Sequence, residues 1–184
     1  MPTRRRRCGL PSTAFDEGST ACGGGGGRRR AEEARTDGWV ETETQTGDWA
    51  VLGADAARIR DAVFVREQRI PPEWELDDED PLSLPAVAYR VDRASGARRA
   101  VATGRLLRTG TIGRVAVLAD ARRQGAGSAV LHALLEAARQ RGEPLVRLYA
   151  QDEAVPFYLR HGFTTIGEPF DALGVPHVEM VRAP

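Results

Sequence analysis

The chain has no lysine and no asparagine, and every one of its 26 basic residues is arginine. No lysine can therefore serve as a Schiff-base nucleophile or general base. We read this bias as that of a GC-rich coding sequence, because no surface chemistry demands it. Cysteine is nearly as scarce: Cys8 and Cys22 are the only two, and both precede residue 23. Two cysteines in such a segment make neither a disulfide framework nor a structural zinc site. The remainder of the chain has no cysteine nucleophile, and its composition fits a reducing cytoplasm. Long apolar runs are missing too. Stretches such as residues 115–119 fall far short of the roughly 20 residues that cross a bilayer.

Net charge is also absent, with 26 basic against 26 acidic residues, but the zero hides a division. Residues 1–30 hold seven arginines against Asp16 and Glu17, a local +5, whereas residues 31–184 hold 19 arginines against 24 acids, a local −5. Residues 1–46 combine arginine clusters, a five-glycine run (23–27) and a polar stretch. So little apolar surface cannot offset the entropy of ordering, and the expectation is a disordered extension. It lacks the apolar core of a secretory signal and the aromatic or helical pattern of a specific nucleic-acid arm.

Residues 47–184 are expected to form one domain. A short strand at 49–52 leads into a helix in which Ile59, Ala62, Val63 and Arg66 recur at helical spacing, until Pro71 and Pro72 stop it. An acidic loop covers 73–80. Strands are expected at 86–91, 100–107 and 112–118, with glycine-containing turns between them. An amphipathic helix runs from Ala126 past Ala138 to Gly142. A strand (145–150), a shorter helix (152–161) and two strands (163–167, 177–181) complete a β-α-β-β-β-α-β-α-β-β order. That is a mixed α/β fold with antiparallel strands first and a βαβ unit in the middle.

The stretch that carries chemistry is a Val-rich strand running through Arg122-Arg123-Gln124-Gly125-Ala126-Gly127-Ser128 into a helix. Gly125 and Gly127 permit unusual backbone angles, and the first N–H groups of the helix lie at the positive end of its dipole. Arg122 and Arg123 add charge-assisted donors. The combination describes a diphosphate cradle. It is not a P-loop, which needs Gly-Lys-Ser/Thr, nor a Rossmann fingerprint, because Val130 stands where a third glycine would be.

Arg122-x-x-Gly125-x-Gly127 after such a strand resembles motif A of the GNAT superfamily, the acyl-CoA-dependent N-acyltransferases. Residues 150–163, with Tyr158-x-x-x-Gly162-Phe163, resemble motif B. Arg60-x-x-Val63-Phe64-Val65-x-Glu67-Gln68 followed by Glu73-x-Glu75-x-Asp77-x-x-Asp80, and the closing Gly174-Val175-Pro176-His177-x-x-Met180, are similar to an ElaA-like branch.

The resemblance implies a GNAT-like fold: a mostly antiparallel sheet, flanked by helices, in which two parallel strands, 115–118 and 145–150, splay apart around acetyl-CoA. It implies pyrophosphate on Arg122, Arg123, Gln124, Gly125, Ala126, Gly127 and Ser128, and pantetheine along Val115, Ala116 and Val117, with a backbone N–H there polarising the thioester carbonyl. Gln151 stands where many relatives have asparagine. Transfer would be direct, in a ternary complex, with no metal. Tyr158 occupies the position of the acid that protonates the departing thiolate, a role a phenol with an ordinary pKa of about 10 can fill at neutral pH.

The acceptor amine must lose a proton. Glu67 is the first candidate, followed by Glu75, Asp77, Asp80, His177 and Glu179. Glu75, Asp77, Asp80 and His177 are also read as contacts for a cationic amine, of a small molecule or of a peptide. Relatives often carry a histidine after the acidic loop, where this chain has Pro85-Ala86-Val87. The expected state is a cytoplasmic monomer or homodimer without membrane or specific nucleic-acid partners. Alternatives are an acyl-homoserine-lactone synthase-like enzyme and a non-catalytic acyl-CoA-binding module.

Overall fold

The computed structural model describes residues 39–172 and 174–184. The expectations for the arginine clusters, the glycine run, Cys8 and Cys22 lie outside the described residues. From the first helix on, the element order is the one expected, with boundaries shifted. Strand β1 (Trp39–Thr46) is followed by α1 (Trp49–Arg60), which continues as a π-helical segment, Asp61–Glu67. Strands β2 (Leu84–Asp92), β3 (Arg98–Leu106) and β4 (Ile112–Val117) lead to α2 (Ala126–Gln140). Then come β5 (Val146–Gln151), the short helix α3 (Val155–Arg160), β6 (Thr164–Ala172) and β7 (Val175–Arg182).

Two expectations need correction. The first strand lies within the stretch assigned to the extension, so the fold starts by residue 39 and not at 47. Residues 41–46 alternate Glu or Gln with Thr and carry no apolar signal. They pair antiparallel with β2 through backbone bonds, and their glutamates meet Arg93 and Arg98. A polar edge strand of this kind also resists unwanted pairing. Second, residues 49–52 are helical. Leu52, Ala56, Ile59 and Val63 are all buried, a spacing of four, three and four that marks one helix face. Trp49 lies against Gly53, where any added Cβ would come within 2.6 Å of the indole.

The strands form two sheets, ordered β1-β2-β3-β4 and β5-β7-β6, and every ladder in both is antiparallel. Between them, β4 and β5 run parallel and touch only at their starts, through a bridge from Thr111 to Arg147 and the bond from Arg147 N–H to Gly110 C=O, 3.1 Å. Beyond that point they diverge, and the fork opens toward Val117 and Gln151.

Helix α2 seals one side of both sheets. Val130, Leu131, Leu134, Leu135 and Ala138 share a core with Val115 and Val117 of β4 and with Val146, Leu148 and Ala150 of β5. On the other side a smaller core joins Leu52, Ile59 and Phe64 to Val87, Tyr89, Ala100 and Ala116, so α1 and the π segment cover the first sheet. Burial of this kind drives folding, at about 25 cal/mol per Å² of apolar surface removed from water.

Candidate active site

Strand β4 is irregular where it matters. Thr103 pairs with Ala116 and Arg105 with Gly113, so Gly104 alone faces both Arg114 and Val115. This is a β-bulge, and Arg114 takes φ +54°, the left-handed region. Gly104 is required opposite it: a Cβ would lie 3.0 Å from Leu134 and Val130 and 3.2 Å from Val115. The bulge bends β4 away from β5 and leaves the edge of residues 115–117, which are buried, without a strand partner on the fork side. An alternating hydrophobic pattern does not register an extra residue, so sequence reasoning missed it.

Past Val117, the chain turns through residues 122–125 into α2. Arg123 has φ +57° and Gly125 φ +82°, and Gly125 is the N-cap of α2 with no side chain capping its first N–H groups. A Cβ on Gly125 would meet nothing within 4 Å, so the space over the turn is open. Uncapped donors at the positive end of a 15-residue helix suit an anion. The turn and the unpaired β4 edge, side by side, fit the diphosphate and amide groups of an acyl-CoA.

The remaining residues expected to contact the cofactor surround this turn. Ala126 and Gly127 are buried in the first turn of α2. Ser128 Oγ lies 3.0 Å from His161 Nε2, while His161 Nδ1 lies 2.8 Å from the Phe157 carbonyl and must donate to it. His161 Nε2 therefore accepts from Ser128. Burial first, and the neighbouring His132 with Arg160 and Arg182 next, hold the His161 pKa below its usual value of 6.5. Gln124 is exposed, bonded to Arg90 and to the Asp120 carbonyl. Gln151 ends β5 at the open end of the fork. Tyr158 is fully buried in α3, edge-on to Phe157 and Phe163 with ring centroids 5.1 and 5.6 Å away.

Glu67 closes the π segment and reaches Arg122: its carboxylate lies 2.6 Å from Nη2, while Arg122 Nε donates to the Val117 carbonyl at 3.1 Å. The first candidate base and the first cradle arginine thus hold each other. A seven-residue π-helix is unusual, and its wider turn sets the position of Glu67.

The acidic loop departs most from expectation. In place of the expected surface for a cationic substrate, Glu75 and Asp80 are buried and Asp77 is largely so. Three buried arginines meet them. Arg60 bonds Glu75 and holds Asp80 at 2.6 Å. Arg105 reaches Asp77 at 2.6 and 2.7 Å and Asp80 at 2.5 Å. Arg114 reaches Asp77 at 3.2 Å and the carbonyls of Trp74 and Glu75. Three charges of each sign cancel, and the loop is clamped onto the bulge. The arginines sit at positions read as helix or strand interior, so spacing alone did not pair them with the acids.

Within this cluster the titrations diverge. Burial would raise Asp77, but the hydrogen bonds and charge of Arg105, helped by Arg114 and Arg60, hold it below 3.8. Glu75 moves the other way: burial outweighs its pairing with Arg60 and raises it above 4.5. Arg114 is pushed down to about 10 by burial first, then by Arg105 and Arg60.

His177 is 2% exposed on β7, opposite Gln151 of β5 and Phe170 of β6. Its Nδ1 lies 2.8 Å from the Val175 carbonyl and its ring is stacked on Phe170. Among the described residues no group of three or more His, Cys, Asp or Glu could hold a metal ion. No described helix is long and apolar enough to cross a membrane.

Comparison with known proteins agrees with the geometry. The family model described as an acetyltransferase (GNAT) domain matches residues 86–183. The chain is 36% identical over 130 residues to the uncharacterized N-acetyltransferase YjcF of Bacillus subtilis (strain 168), covering 70% of this chain and 90% of that protein. An acyl-CoA N-acyltransferase from Pseudomonas aeruginosa superposes with a TM-score of 0.65 at 30% identity, over 78% of this chain and 100% of that one. Escherichia coli ElaA gives a TM-score of 0.66 at 26% identity, over 77% and 99%. Forked strands, the bulge, the cradle turn and these relatives together establish that the chain belongs to the GNAT acetyltransferase family.

Proposed function

We propose that this acyltransferase moves an acetyl group from acetyl-CoA to the primary amine of a small molecule, directly and in a ternary complex, in the cytoplasm. The observation that carries the reading is the adjacency of the unpaired β4 edge and the uncapped, glycine-led start of α2 at the open end of one fork. When bound, acetyl-CoA supplies an activated acyl carbon on a thiol leaving group.

The chain's own residues do the rest. Backbone donors of Gly125, Ala126 and Gly127, with Arg122 and Arg123, hold the diphosphate. Val115, Ala116 and Val117 hydrogen-bond the pantetheine arm as a neighbouring strand would. The bulge aims a backbone N–H at the acyl oxygen, where negative charge develops during attack. Gln151 borders the arm from the β5 side. Tyr158 donates a proton to the departing sulfur.

Release of free CoA thiol from acetyl-CoA, followed across a panel of alkylamines, arylalkylamines, amino acids and polyamines, tests the reading. The expected result is steady, amine-dependent release. Tight binding of acetyl-CoA without turnover would turn the assignment toward a non-catalytic acyl-CoA module. Failure to bind acetyl-CoA at all would end it.

A further inference from the structure

Of the side chains able to take a proton from the acceptor, the carboxylates are committed. Glu67 is bonded to Arg122, Glu75 to Arg60, Asp77 to Arg105 and Arg114, and Asp80 to Arg60 and Arg105. Glu179 lies 2.6 Å from Arg147. His177 differs. A carbonyl can only accept, so Nδ1 carries the proton that is donated to Val175, and the lone pair of the neutral ring is on Nε2. That Nε2 is buried and has no hydrogen-bond partner among the described residues. Nearly all buried polar atoms in native proteins are partnered, and those left over call for a ligand, a water or a chemical role.

The topology puts His177 on the face of the second sheet turned away from the α2 core, level with Gln151 at the end of β5. In β5, Val146, Leu148 and Ala150 face the α2 core, so Tyr149 and Gln151 face the opposite side. Gln151, His177 and Phe170 form one row across β5, β7 and β6; Tyr149, Glu179 and Ile166 form the next. Helix α1 and the π segment cover this side of the first sheet, with core partners on β2, β3 and β4 only. On the second sheet no helix core covers the same side: Phe170 and Ile166 of β6 are each 39% exposed, and His177 is buried inward of them.

We propose that His177, through Nε2, is the group that accepts the proton of the attacking amine, which reaches the acyl carbon over the face of the second sheet turned away from the α2 core. Glu67 is then a positioning residue that holds Arg122 against the turn. This assignment rests on the acetyltransfer reading above. In the transfer a C–N bond forms as the C–S bond breaks with its electron pair on sulfur. The amine proton passes to Nε2, sulfur takes a proton from Tyr158, and both side chains re-equilibrate with solvent. Other titratable groups on this side are Tyr149 and Arg147 of β5 and Glu179 of β7, the last two paired with each other. In register with them, β6 brings only Ile166 and Phe170.

His177→Asn separates chemistry from structure, because the asparagine amide can still donate to the Val175 carbonyl but has nothing at the Nε2 position. The variant should melt within a few degrees of the wild type and bind acetyl-CoA with unchanged affinity by calorimetry. Its kcat/KM for the best amine of the panel should fall about 10²-fold or more, and the acid-side limb of its pH profile should vanish. Wild-type rate with the limb intact would overturn the assignment while leaving the acetyltransfer reading in place. Failure of the wild type to bind acetyl-CoA would instead remove that reading. A readout independent of turnover is the histidine ring nitrogen spectrum of the wild type. His177 should carry its proton on Nδ1, with the Nε2 resonance moving on addition of phenethylamine. An Nε2–H tautomer would contradict the proposal.

Discussion

Two polar regions lie on either side of the β4 bulge, and they are built on opposite terms. Below it, Arg60, Arg105 and Arg114 meet Glu75, Asp77 and Asp80 in a buried cluster whose charges cancel. Beyond it, at the fork, the β4 edge has no strand partner, the start of α2 has no cap and His177 Nε2 has no partner among the described residues. The contrast separates architecture from chemistry. In the cluster every charged group has an opposite charge beside it, although Arg105 Nε lacks a hydrogen-bond partner, and the pairing holds a loop in place; at the fork the β4 edge and the His177 lone pair have no such counterpart. Both regions are rich in charge in the sequence, and only the pairing distinguishes them.

The sharpest way to break the comparison is to unbalance the sealed cluster. Asp80→Ala removes the carboxylate shared by Arg60 and Arg105 and leaves both guanidinium groups short of a partner. Urea unfolding should show a loss of about 3–5 kcal/mol, as breaking a buried ion pair does. A loss below about 1 kcal/mol would mean that water reaches the cluster and that the clamp is not structural.

At the fork the expected response is catalytic instead. Tyr158→Phe keeps the ring that packs on Phe157 and Phe163, so stability and acetyl-CoA affinity should change little. Turnover should fall about 10²-fold if the phenol is the acid. Unchanged kcat would return Tyr158 to a packing role.

A smaller effect probes the cluster from within. Because the folded pKa of Asp77 lies below 3.8, its stabilisation is complete above the unfolded value and is lost as pH falls through the folded one. Glu75 shifts upward and contributes in the opposite sense, which is why the test isolates Asp77. The stability gap between wild type and Asp77→Asn should be constant above about pH 5 and narrow below about pH 4. A gap independent of pH would show that Asp77 gains nothing from its arginines.

How much of this was legible beforehand follows the same division. The order of elements from the first helix on, and the glycine-led turn into α2, could be read because they rest on periodicity and on the glycines themselves. Residues 49–52 were misread because Trp-Ala-Val-Leu suits a strand as well as the start of a helix, and only the spacing onward to Ala56, Ile59 and Val63 decides. Residues 41–46 were missed because a run of Glu, Gln and Thr draws its strand stability from the backbone of β2, not from a hydrophobic face. The acidic loop was placed at the surface because spacing locates charges along the chain without showing which arginines fold onto them. Among the side chains read as candidate bases, His177 is set apart by the partner its Nε2 lacks, a property of the fold.

The central claim is that the turn at Gly125 and the unpaired β4 edge form an acyl-CoA site. Calorimetric titration of acetyl-CoA into the wild type and into Gly125→Glu tests it most directly. At φ +82° any side chain is strained, and a carboxylate there would stand over the open turn where the diphosphate belongs. The account predicts one acetyl-CoA bound per wild-type chain and an affinity reduced at least about 10²-fold in a variant that still folds, a difference of about 2.7 kcal/mol. Equal affinity in the two proteins, or no binding to the wild type, would contradict it.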